Sequence, residues 1–333
     1  MSQIAMGDLA QSMLLSRRNV TLKDSLQSLS DEVVTGLVRD RTARIKGDYV
    51  PLAGIEATLT QLEAYRSVTT ETAMLANHMQ IALTSISDNA SVLSSSLLAA
   101  ASSNSPSRIN TLGYDAGQRL QSAISALNTR MGERSLFAGQ AVKTAAVADT
   151  ETLLVALDTV IAGTISSADV ETALDGWFSD PAGFAATVYQ GGAALGPVPI
   201  GPDQQAQVDV TALDPAIVSM IKGLAMATML QRGALAGSDV ARADLAKRAG
   251  ESLASSQTAF AELGARLGTV EASVINAGVQ NDAHRSALET ARLGLLSVDP
   301  YETATKLQQA QTQLETLFTL TSRMSRLSLV NFL

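Results

Sequence analysis

From Phe260 to Leu295 one apolar stripe repeats without interruption. Phe260, Leu263, Leu267, Val270, Val274, Ala277, Asn281, His284, Leu288, Ala291 and Leu295 follow one another in steps of three and four. Only a helix puts such positions on one side, and the alternation is that of a coiled-coil seam. Ten turns of helix cannot be wrapped inside a small compact fold, so the rest of the chain must supply long helices to cover this one.

The sequence offers them. Leu75, Met79, Ala82, Ile86, Ala90, Leu93 and Leu97 form a second stripe. It predicts a helix from about Gly54 to Ala101, roughly 70 Å long at 1.5 Å per residue. Ser102-Ser-Asn-Ser-Pro106 breaks it, and a third helix is expected over about 107–136. Near the start, Leu15, Leu22, Leu26, Leu29 and Val33 are spaced 7, 4, 3 and 4, and Gly36 is the expected stop. At the other end, Asp299 and Pro300 read as an N-cap and first turn. The final helix then carries Leu307, Leu314, Leu317, Leu320, Met324, Leu327, Leu329 and Phe332 towards the last residue.

Between about 141 and 212 the pattern changes. Gly and Pro concentrate there beside the one Trp, Asp149–Leu157 reads as a short helix, and Ala185–Tyr189 and Ala206–Thr211 read as strands. The expected fold class is mainly α, with long antiparallel helical arms from both termini and a small inserted α+β outer domain. The divisions are 1–50 as the N-terminal arm of an assembly domain and 51–140 as the first part of a helical rod. The outer domain is 141–212, the second part of the rod 213–297, and the C-terminal assembly helix 298–333.

Composition narrows the function. Aromatics are 4% of 333 residues and charged residues 17%, which suits close helix packing by small aliphatic side chains. The net charge of -8 argues against nucleic acid, and the densest basic stretch, Arg39–Lys46, is interrupted by acid. With no cysteine, thiolate metal sites and thiol nucleophiles are excluded. His284 reads as a seam residue and His78 as a helix flank. Gly191–Gly196 runs into prolines and reads as a turn, not a phosphate loop. Gly264-Ala-Arg-Leu-Gly268 predicts a close helix approach. No catalytic, cofactor or metal residue is expected, and no enzyme. The N-terminus lacks the layout of a secretory signal peptide, and no stretch reads as a membrane span.

Several stretches resemble the flagellin superfamily. Glu262–Glu271 (ELGARLGTVE) and Asp299–Glu315 (DPYETATKLQQAQTQLE) are similar to its C-terminal region. Leu127–Gly139 (LNTRMGERSLFAG) resembles the point where its N-terminal arm gives way to an outer domain. The ending Leu327–Leu333 and the short Tyr189-Gln-Gly-Gly192 are similar to the superfamily's hook–filament junction proteins, the third hook-associated proteins. Two departures stand out: Gly47-Asp-Tyr-Val-Pro51 replaces a Ser-Asp-Asp-Pro-type loop, and the start lacks an early Arg-Ile-Ser/Thr pattern.

The resemblance implies a structural adaptor at the junction of hook and filament, exported unfolded by the flagellar type III route to lie outside the cell. Its implied partners are further copies of itself, a neighbouring hook-associated protein, flagellin, and a cytoplasmic export chaperone on the C-terminal helix. The leucines of the first and last helices named above, with Met324 and Phe332, would be the assembly residues. The alternatives are a flagellin, whose tails usually carry an Ala-Asn-Gln-type segment before the ending, or an unrelated coiled-coil scaffold.

Overall fold

The computed structural model describes residues 2–103 and 105–330; side chains of residues 2–9, 11, 12 and 325–330 lie outside what is described. The described chain is mainly helical. Contacts divide it into unit 1, residues 1–62 with 283–333, and unit 2, residues 63–282.

Unit 2 is built on α3 (Val50–Ser102), of which it takes the larger part, α4 (Pro106–Leu127), α8 (Pro215–Met229) and most of α9 (Asp239–Leu296). The stripe read on α3 is wholly inside: Leu75, Met79, Ala82, Ile86, Ala90, Leu93 and Leu97 are all buried. On α9, Phe260, Leu263, Leu267, Val274, Ala277 and Asn281 are buried as well. His284 departs from the expected seam and is exposed. Asn281 holds its buried place because its Nδ2 donates to the Ile200 carbonyl at 2.7 Å. A helix apolar on every side has to be central. That describes α8, buried from Gly223 to Met229, whose one charged residue, Lys222, reaches out to Asp175.

The expected third helix stops early, at Leu127. Asn128 exchanges hydrogen bonds with the Val147 backbone, Oδ1 accepting from N at 3.0 Å and Nδ2 donating to O at 2.9 Å. This turns the chain into an antiparallel hairpin of β1 (Arg130–Met131) and β2 (Arg134–Ser135), with Gly132 at φ +60° in its bend.

The 141–212 stretch shares one apolar core with α3, α4, α8 and α9: Val147, Leu153, Leu157, Val170, Leu174 and Phe184 pack in the same cluster as Leu93 and Leu120. It holds α5 (Thr150–Val160), the short helix expected over Asp149–Leu157, with Asp149 as its N-cap, α6 (Ser167–Ser179) and the single turn α7 (Phe184–Thr187). The Ala185–Tyr189 stretch is thus mostly helical rather than a strand, with only Tyr189 bridging to Val147. Val198–Gly201 (β3) pairs with Gln204–Ala206 (β4), and the chain beyond Ala206 leaves the ladder.

Ion pairs reinforce this packing. The carboxylates of α5 and α6 face cations of α8, its following turn and α9: Asp175 meets Lys222, Asp158 meets Arg232, and Glu171 meets Arg248 at 2.6 Å. Of the two glycines at which a close helix approach is expected, Gly264 has one, since a Cβ there would stand 3.3 Å from Gln80 Nε2 of α3, and Gly268 does not. A Cβ on Gly268 would meet nothing within 4 Å, whereas one on Gly223 would stand 2.6 Å from Leu253 Cδ2.

Unit 1 contains α1 (Ser2–Thr35), α2 (Arg41–Arg44), the remaining ends of α3 and α9, and α10 (Pro300–Val330). Its charges nearly cancel, with twelve Lys and Arg against eleven Asp and Glu. Unit 2 has twelve against 21, so the acidity of the whole chain resides there.

Candidate assembly surface

Helix α1 ends where its sequence says it should. Gly36 takes φ +69°, a left-handed conformation that costs a side chain about 1 kcal/mol and glycine little, and its N–H returns to the Glu32 carbonyl at 2.9 Å. The next residues form a short antiparallel bridge to the turn before α10. Val38 N donates to Leu296 O at 2.9 Å, and Val298 N donates to Gly36 O at 3.0 Å. Asp299 then caps α10, its Oδ1 accepting from Tyr301 N at 2.9 Å and Glu302 N at 3.1 Å.

This bridge sets α1 and α10 antiparallel side by side. Lys23 Nζ sits 5.9 Å from the centre of the Phe318 ring. Nearer the bridge, Lys306 is held above the ordinary lysine pKa by its hydrogen bond to Glu302, helped by the charges of Glu302 and Glu32. An open groove of ≈ 1170 Å³ runs between the two helices, lined among others by Leu14, Arg17, Leu22, Gln309, Thr316 and Leu320.

Two helices have only one shared seam and no interior. Leu15, Leu22, Leu26 and Leu29 on α1, and Leu307, Leu314, Leu317 and Met324 on α10, are each only half-buried; Leu320 is 48% exposed. The side chains of Leu327 and Leu329, and Phe332 altogether, lie outside the described residues. On α10, among the described residues, only Thr303 and Ala310 are fully buried.

A second stripe on α1 escaped the sequence reading. Met13, Val20 and Val34 fall at multiples of seven and are 66%, 58% and 83% exposed. At about 100° per residue Met13 and Val20 lie roughly opposite Leu15, and Val34 lies roughly opposite Leu29, so α10 does not cover them. The spacing was visible in the sequence. What hid it was Gln27, which occupies the third position of the row.

Completing the burial of half-covered leucines is worth about 1 kcal/mol each. Eight such residues therefore hold several kcal/mol that the isolated pair cannot realise, before the ordering costs of association. Nothing in this surface is a reactive constellation. Among the described residues no group of three His, Cys, Asp or Glu could hold a metal ion, and no helix is long and apolar enough to cross a membrane.

Comparison with known proteins gives this surface its context. Residues 252–333 match the bacterial flagellin C-terminal helical region. The match takes in most of α9 and all of α10. A solved structure described as that of a flagellar hook-associated protein from Vibrio parahaemolyticus is similar in fold, with a TM-score of 0.50. The likeness covers 72% of this chain and 94% of that one at 15% sequence identity, a level that speaks for the shared fold. No curated protein sequence matches the chain. The architecture is thus the mainly helical, flagellin-like one.

Proposed function

We propose that this chain is a structural, non-enzymatic subunit of the bacterial flagellum, an adaptor at the junction of hook and filament. The observation that carries the reading is the α1–α10 pair. Both of its helices keep apolar stripes half in water, and α10 lies inside the stretch that matches flagellin's C-terminal helical region. Further copies would bury these stripes, with a second hook-associated protein on one side and flagellin on the other. The near-neutral charge of unit 1 suits close packing of many copies, since like charges brought together would oppose it. Before assembly the same stripe is an aggregation hazard, and an export chaperone on α10 would cover it. The protein's place is then outside the cell, on the flagellum.

A filament subunit is the second reading, favoured by the family of the matched region. Immuno-electron microscopy of isolated flagella separates the two. The junction reading expects label in one narrow zone at the hook end, and label along the whole filament would replace it with the filament reading. A strain lacking the protein should shed flagellin into the medium and lose motility. Unchanged motility would remove both readings.

A further inference from the structure

A second concavity lies wholly within unit 2, far in sequence from the assembly helices. It is an open groove of ≈ 770 Å³ between α4, the start of α5 and the turn after α8. Two glycines one turn apart on α4 shape it. A Cβ on Gly113 would stand 2.8 Å from Gln231 N, and one on Gly117 would stand 2.8 Å from Gln231 Oε1. Their absence of side chains lets the turn close over one end.

The walls are chemically unusual for so acidic a unit. The α4 side presents Tyr114, Gln118, Gln121 and Ser125, a row with no charge at all. Tyr114 is 62% exposed, a large aromatic face left in water. The opposite wall does carry charge, but it is already spent. Arg232 is forked between Asp158, with Nε at 2.7 Å from Oδ2, and Glu151, with Nη1 at 3.2 Å from Oε2. Asp149 Oδ1 accepts the cap bond from Thr152 N at 2.7 Å. Below them, Ile124 and Leu154 make an apolar floor.

An exposed ring, a floor of hydrocarbon and several amide and hydroxyl groups without net charge suit one kind of ligand. It must be neutral, rich in hydroxyls, and have a C–H face to lay on the tyrosine. We propose that this groove binds a neutral oligosaccharide, one sugar ring stacked on Tyr114 and its hydroxyls hydrogen-bonded by Gln118, Gln121 and Gln231. An anionic ligand would face Asp149 and Glu151; of these, Glu151 is paired with Arg232 and Asp149 caps α5 at the exposed rim, which leaves the α4 row of amides and hydroxyls to select the ligand. The inference stands apart from the assembly reading, because none of these residues belongs to unit 1.

The experiment is saturation-transfer difference NMR on the full chain, with cellotriose and chitotriose as probes. Transfer to at least one sugar is expected. Tyr114→Ala and Gln121→Ala should each weaken it roughly tenfold, the scale of losing a stacked ring or a good hydrogen bond. Tyr114→Phe should retain it. Both positions are exposed, so circular dichroism melting should be unchanged and loss of binding would not reflect unfolding. Absence of transfer from both sugars overturns the proposal. So does transfer that persists unchanged in the Tyr114→Ala and Gln121→Ala variants, which would place the contact elsewhere.

Discussion

Arg242 donates from Nη2 to Oδ1 of Asn110 at 2.6 Å. The same nitrogen reaches Leu230 O at 2.7 Å, and Nη1 reaches Ala234 O at 2.8 Å. All three acceptors are neutral. A guanidinium 8% exposed is thus held by an amide and by carbonyls at the end of α8, where the helix dipole is negative. Arg242→Ala would strand those carbonyls in the interior. It should cost unit 2 about 2–4 kcal/mol, read by urea unfolding with Trp177 fluorescence. Arg242→Lys keeps the charge but not the fork and should fall in between. An Ala variant as stable as the parent would show that water replaces the guanidinium at no cost.

Asp244 predicts an acid limit. Its carboxylate is held below the ordinary value of 3.8, first by the Ser167 hydroxyl and then by Arg248. A depressed folded pKa adds stability that is complete above the unfolded value and is lost as pH falls through the folded one. The difference in unfolding free energy between the parent and Asp244→Asn should therefore be flat near neutrality. It should shrink below about pH 4 as the parent's carboxylate takes up its proton. A gap that widens on acidification would contradict the assignment.

Gly223→Ala tests the packing of α8. In an exposed helix the exchange would stabilise by up to about 1 kcal/mol. Here the new methyl would lie 2.6 Å from Leu253 Cδ2, and Leu253 is fully buried. The overpacking cost, about 1–3 kcal/mol, should win, and the melting temperature should drop.

Val20→Glu and Val34→Glu test the uncovered stripe of α1. Neither valine touches a core, so monomer melting should stay within about 0.5 kcal/mol of the parent. Each should still block incorporation into flagella, scored by motility and by flagellin released to the medium. Normal motility in both would mean that this side of α1 faces solvent in the assembly.

How far the sequence foretells these features depends on how many residues speak at once. The α3 stripe is seven positions long, and all seven are buried, because sustained periodicity outvotes any single residue. Gly36 and Asp299 mark helix ends by local chemistry and do so in the structure. Short apolar runs carry no such redundancy. Ala185–Tyr189 reads as strand by composition, yet Phe184 anchors it in the core and Gly183 lets the turn tighten where a Cβ would strike the Trp177 carbonyl at 1.9 Å. His284 sits in phase with the α9 stripe and is nonetheless exposed, since periodicity shows which residues share a side but not how completely each is covered. The α4 groove was invisible for another reason: its second wall is assembled from two separate stretches, 149–154 and 231–232, the latter more than a hundred positions downstream of α4.

The bridge between Val38 and Leu296 joins positions 258 residues apart. Closing a flexible loop of that size costs about 5 kcal/mol of chain entropy, far more than two backbone hydrogen bonds return. The contact is affordable only after the intervening residues have folded and shortened the effective loop. A chain that emerges N-terminus first makes α1 at the outset, then has to keep it waiting until residues beyond 300 are free. Unit 1 is therefore the last part of the molecule to form, and the first to come apart when either end of the chain is cut.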